Sequence, residues 1–164
     1  MTNVTIPTST FLAGARAKIP TLAGIKFTHN DLEDFRATHA IGGSEYQVMF
    51  GRDELLLTSL AAGATGAVGS TYNYAAPVYH RIMRAYAAGD RATAEREQAR
   101  ACAMIDTMVR FGGQPAGKAI MKLIGIDCGP VRLTMRTLTA TDESALRAAL
   151  DAQGFFEFAS KSVA

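Results

Sequence analysis

Lys26 stands inside the short apolar run Leu22-Ala23-Gly24-Ile25-Lys26-Phe27-Thr28, which otherwise reads as a buried strand. Lysine is almost never fully buried without a chemical reason. Desolvation disfavours the charged ammonium, and a neutral amine attacks carbonyl carbons to form a Schiff base. The strand pattern alone leaves a second reading open, an edge lysine whose stem is packed and whose head stays wet.

Two more groups of polar residues follow apolar runs in the same way. Gly51, Asp53 and Glu54 follow the strand-like run Tyr46–Phe50, and Gly69, Ser70 and Thr71 follow Gly63–Val68. Paired carboxylates accept hydrogen bonds from sugar hydroxyls, but acidic residues also favour the first turn of a helix for electrostatic reasons. Ser70-Thr71 is equally a capping pair. Gly63-x-x-Gly66-x-x-Gly69 lacks the strand-then-glycine order of a dinucleotide fingerprint. The three histidines, His29, His39 and His80, form no cluster.

These groups need elements to position them. A helix is expected over Pro7–Ala17, closed by Lys18-Ile19-Pro20 because helices rarely run through the residue before proline. The Lys26 strand follows, then a helix from Asp31 to Ala40 with Leu32 and Phe35 inward. Gly42-Gly43-Ser44 turns the chain into the second strand, and a helix runs from Asp53-Glu54 to Ala62. Gly63–Gly69 is expected as a third short strand. Strands alternating with helices argue for parallel pairing through right-handed crossovers. Beyond Pro77 the pattern is helical: Pro77–Ala88, Arg91–Phe111 with Asp90 as cap, Pro115–Ile124, an irregular Gly125–Leu138, and a last helix from Thr141-Asp142-Glu143 to Gly154.

The expected fold is therefore α/β: three parallel βα units followed by three further helices. Residues 1–76 carry the strands, and 77–164 form a helical region packed on the same domain. Three strands close nothing, since a closed barrel of this kind takes eight strands and roughly 250 residues. The chain has 164. With 48% hydrophobic and 20% charged residues it can build a core, which argues against disorder. Its net charge of +2 is scattered rather than striped, so nucleic acid is not an expected partner. No apolar run is long enough for a membrane span. The two cysteines, Cys102 and Cys128, show no metal spacing, so no metal is expected, and they suit a reducing cytoplasm.

Specific stretches carry a family resemblance. Lys18 to Thr28 with Asp31-Leu32 and Phe35, Phe50-Gly51-Arg52-Asp53-Glu54, Gly63 to Tyr74, Lys118-Ala119-Ile120-Met121 and Gly129-Pro130-Val131-Arg132-Leu133 together resemble, in order, the C-terminal half of the N-acetylneuraminate lyases. That resemblance implies the C-terminal half of a (β/α)8 TIM barrel and class I aldolase chemistry, cleaving sialic acid to N-acetylmannosamine and pyruvate. It implies Lys26 as imine-forming residue, Thr28 as the hydroxyl just beyond it, and Gly51, Asp53, Glu54 and Ser70 as binders of the sugar tail. No cofactor is implied beyond the covalent imine to Lys26. The Asp-Glu pair favours a sugar-acid lyase over the related dihydrodipicolinate synthases. The family's carboxylate-binding turn and its proton-shuttling tyrosine, in a Tyr-x-Ile-Pro stretch, have no match here, and the chain is expected to begin just after them, with Met1–Val4. Association is expected, as a homo-oligomer or with a complementary N-terminal half-barrel. The alternative is a catalytically inactive half-barrel serving in folding, assembly or sugar binding.

Overall fold

The computed structural model describes residues 6–15, 17–43 and 45–161. They divide into two compact units, one up to Val68 and one from Gly69. Met1–Val4, named above for a chain start, Ser44 of the expected turn, and Arg16 within the expected first helix lie outside the described residues.

In the first unit, helix α1 (Thr8–Ala15) leads to strand β1 (Gly24–Phe27), helix α2 (Leu32–Gly42) and strand β2 (Gln47–Phe50). A single 3-10 turn, Asp53–Leu55, then opens into helix α3 (Leu56–Ala61). The two strands pair in parallel, with Lys26 opposite Met49 and Phe27 opposite Phe50. The expected third strand shrinks to one parallel bridge between Phe50 and Ala67. The Phe50 N–H donates to the Gly66 carbonyl at 3.0 Å and the Val68 N–H to the Phe50 carbonyl at 2.8 Å. Glycines at 63, 66 and 69 weaken a strand by offering nothing to pack, so pairing is held only where Ala67 meets Phe50.

Side chains alternate across these strands as period-2 geometry requires. Phe27, Val48 and Phe50 turn toward α2 and are buried with Phe35, Ala62 and Ala64. Three phenyl rings make the centre: Phe35 meets Phe50 edge-on at 5.1 Å and Phe27 edge-on at 5.4 Å, and Phe27 lies nearly parallel to Phe50 at 6.2 Å. Lys26 faces the other way and is exposed. Of the two readings of this lysine, the structure has the one with a wet head: one face of the strands has helices, and among the described residues of this unit no layer covers the other.

Asp34 of α2 holds α1 in place. Its carboxylate accepts hydrogen bonds from the Thr8 N–H (2.8 Å), the Ser9 N–H (3.1 Å) and the Ser9 hydroxyl (2.6 Å), satisfying donors that the first turn of α1 leaves open. Asp31 caps α2 itself, accepting from the N–H groups of Glu33 and Asp34.

The second unit is helical: α4 (Tyr72–Ala87), α5 (Arg91–Arg110), α6 (Gln114–Leu123), α7 (Ala140–Asp151) and α8 (Phe155–Phe158). Helix α4 begins before Pro77, not at it. A turn from Tyr72 precedes a kink at Ala75, two residues before the proline that cannot continue an unbroken helix. The Ala76 N–H finds the Ser160 hydroxyl at 3.3 Å, and the Ser160 N–H returns to the Tyr74 carbonyl at 2.8 Å. Asp90 caps α5, as expected, by accepting from the Thr93 N–H. Thr139 and Asp142 form a reciprocal capping box on α7, which starts one residue earlier than expected. Residues 125–138 are irregular, as expected.

Two outcomes follow from the first unit. Phe35→Ala removes the ring shared by both edge-on contacts and should cost about 3–5 kcal/mol in urea unfolding. Burial pushes the Asp34 carboxyl up, but the bonds from Ser9 and Thr8 outweigh it and hold the group below its ordinary value. Its contribution is therefore complete above about pH 4 and disappears as the pH falls through the lowered folded value. The stability gap between wild type and Asp34→Asn should be widest near neutrality and should close in acid.

Candidate active site

The parallel register decides which polar residues meet. Beyond the last pair, the Gly51 N–H continues the ladder to the Phe27 carbonyl at 2.7 Å. That bond sets Gly51 beside Thr28 at the C-terminal ends of β1 and β2. A β-carbon placed on Gly51 would collide with the Thr28 hydroxyl and stand 2.8 Å from Lys26 Cε and 3.1 Å from the Phe27 carbonyl oxygen. Glycine is required here because the lysine stem and the hydroxyl lie across its α-carbon. Lys26, Thr28 and Gly51 are thus brought together, with both side chains exposed on the helix-free face.

The chain leaves Gly51 through Arg52 into the 3-10 turn. Asp53, its first residue, is buried at 7% exposure, whereas Glu54 is half-buried. Arg52 donates from Nε to Glu54 Oε1 at 2.9 Å and from Nη2 to the same oxygen. Burial pushes the Glu54 carboxyl up. The bonds from the Arg52 side chain and from its own backbone N–H, with the Arg52 charge, outweigh that and hold the carboxyl below the usual glutamate value. The site therefore offers an exposed amine, a hydroxyl beside it, and an ionised acceptor one turn away.

Ser70 belongs to the second unit and is exposed. Its carbonyl accepts from the Asn73 side-chain amide at 3.0 Å. Ser70 borders a cleft of about 540 Å³ lined also by Asn73, Tyr74, Met108, Gln114 and Lys118. The Ser70-Thr71 pair does not cap α4 through a side chain; the Thr71 hydroxyl instead meets the Tyr79 hydroxyl at 2.5 Å in the interior. Tyr74 is buried, and its hydroxyl donates to Met108 Sδ at 2.9 Å. Sequence reading leaves the direction of Arg52 open and does not give its pairing with Glu54. The signal was a basic residue two positions before an acidic one at a helix start, where both side chains can share a turn. Among the described residues no group of three or more His, Cys, Asp or Glu could hold a metal ion, and no helix is long and apolar enough to cross a membrane.

Comparison with known proteins gives this geometry a family. The pattern of the Dihydrodipicolinate synthetase family matches residues 1–153. The N-acetylneuraminate lyase of Mus musculus is 41% identical over 142 residues, covering 85% of this chain and 44% of that protein. The solved Proteus mirabilis N-acetylneuraminate lyase is 39% identical with a TM-score of 0.87, over 92% of this chain and 51% of that one. The native structure of N-acetylneuraminate lyase from Aliivibrio salmonicida is 36% identical with a TM-score of 0.88, over 93% and 51%. The chain spans about half the length of the relatives it matches. Its fold is that of half a TIM-barrel aldolase, and the chain belongs to the dihydrodipicolinate synthetase family.

Proposed function

We propose that this chain supplies the imine-forming lysine and the sugar-binding turn of a class I aldolase that cleaves N-acetylneuraminate to N-acetylmannosamine and pyruvate. The observation that carries this reading is the stacking of Lys26 and Thr28 over Gly51 at the strand ends, where parallel barrels assemble their sites. Lys26 Nζ attacks the C2 ketone of the open-chain sugar acid, and loss of water leaves an iminium. As the C4 hydroxyl gives up its proton, the C3–C4 bond breaks and its electrons enter the iminium. The C4 fragment leaves as the aldehyde of N-acetylmannosamine. Protonation of the enamine at C3 and hydrolysis of the imine release pyruvate and restore the amine. Thr28 serves the sugar side of the imine, and Gly51, Asp53 and Glu54 receive the polyhydroxylated tail.

The exposure of Lys26 sets a condition on this chemistry. Imine chemistry is favoured in a site closed to bulk water, so the exposed face of the strands needs cover. We assign that cover to a complementary N-terminal half-barrel or a second copy, which would also pair the exposed strand edges. The chain would work in the cytoplasm, where its free thiols Cys102 and Cys128 stay reduced. The same exposure favours a second reading, a half-barrel that assembles or binds sugar without turnover.

Trapping separates the two readings. Pyruvate with borohydride should leave a reduced adduct on Lys26 by mass spectrometry, weakly for the chain alone and strongly with an added N-terminal half from a relative, and none in Lys26→Ala. Wild-type protein that forms no adduct in either state removes the enzyme reading. Without a positioned proton shuttle, cleavage should run about 10²–10⁴-fold below that of the completed barrel. Gly51→Ala should keep the circular dichroism of the parent. Its methyl group forces Lys26 and Thr28 aside at a cost of about 1–3 kcal/mol, so trapping should slow by about 10- to 100-fold.

A further inference from the structure

We propose that Arg52 is a positioning residue that holds the Glu54 carboxylate in one rotamer, and that it offsets part of the negative charge of the turn so that an anionic sugar acid can dock there. The inference rests on the sugar-acid reading above.

The backbone of the turn is fixed first. Arg52 is extended (φ −116°, ψ 102°), and its carbonyl accepts the Leu55 N–H at 3.0 Å, so residues 52–55 form one closed unit. From that anchor the Arg52 side chain passes Asp53 and places two of its donors on a single oxygen, Glu54 Oε1. Donors in this planar fork restrict the rotation of the carboxylate as a point charge would not. Both side chains are about one-third exposed, so the pair sits at the surface of the site and is not sealed beneath it. The lowered Glu54 titration agrees with the geometry.

The arrangement also bears on substrate class. Two adjacent carboxyl groups, Asp53 and Glu54, suit hydroxyl-bearing ligands. The part-exposed Glu54 also repels a ligand carrying its own carboxylate, and like charges brought together at a binding surface oppose association. A guanidinium bonded to one of them removes part of that repulsion while leaving the carboxylate an acceptor.

The test is made on the 164-residue chain, with carboxyl ¹³C resonances followed against pH and the Glu54 signal assigned with Glu54→Gln. In wild type the Glu54 midpoint lies below the ordinary glutamate value of about 4.3. Arg52→Gln raises it to that value or above, and Arg52→Lys restores it in part, because the charge returns without the fork. An unchanged midpoint in Arg52→Gln overturns the positioning claim. Saturation-transfer NMR then compares N-acetylneuraminate, which is anionic, with N-acetylmannosamine, which is neutral. Arg52→Gln should weaken the anionic ligand about two- to fivefold more than the neutral one at low salt, and 1 M sodium chloride should close the difference. Equal weakening of both ligands overturns the charge claim, as does a wild-type chain that binds neither. The imine reading is judged separately, by borohydride trapping at Lys26.

Discussion

Parallel pairing of β1 with β2, in the register that sets Phe27 against Phe50, is the constraint on which the site depends. One more step along that ladder brings Gly51 beside Thr28 and under the stem of Lys26. A slip of one residue would turn every side chain of a strand to the opposite face. Lys26 would then point into the phenyl cluster, and Phe27 into water. The register is defended by that cluster, because Phe27 and Phe50 reach Phe35 together only in this alignment. Packing on the helix side thus specifies which polar side chains meet on the other side, although no phenyl ring lies among them.

The two faces of the short sheet are built to different standards. The helix side is apolar, interlocked and complete within the first unit. The other side carries Lys26 and Met49 and has no partner layer among the described residues of that unit. Burial on one side makes a rigid floor, and a rigid floor suits a nucleophile that must be aimed. What it does not provide is dehydration. For the lysine proposed as nucleophile, aim and dehydration are separate requirements, and the floor bears on the first.

Charges in both units are organised by local pairing. Asp34 takes up the open donors of α1, and Arg52 takes up Glu54. Glu97, nearly buried in the second unit, is met by Arg81 at 2.7 Å and Arg100 at 3.6 Å. A buried carboxylate stripped of its partners is strongly destabilising, so this group belongs to the scaffold. The Arg52–Glu54 pair is more exposed and lies on the turn that follows Gly51, which gives it room to act on a ligand.

Much of this was legible in the residues themselves. Asp31 and Asp90 announced their helices, because a short acceptor before a run of helix formers satisfies open N–H groups wherever the helix sits. Alternating strands and helices implied parallel pairing, and the motifs around Lys26, Gly51 and Ser70 implied the aldolase family that the comparisons establish. The choice between a buried and a wet Lys26 was left open, since an apolar run bounded by turns looks the same whether one face or both are covered. So were the reduction of the third strand to a bridge and the kink at Ala75, which depend on what neighbouring segments offer for packing and hydrogen bonding. The sequence by itself determined which groups are available and which local elements carry them, because capping, alternation and glycine placement act over a few residues. Only the tertiary structure decided that Lys26 and Thr28 lie over Gly51 and that Arg52 bonds Glu54. Those outcomes depend on strand register and side-chain direction, and distant contacts set both.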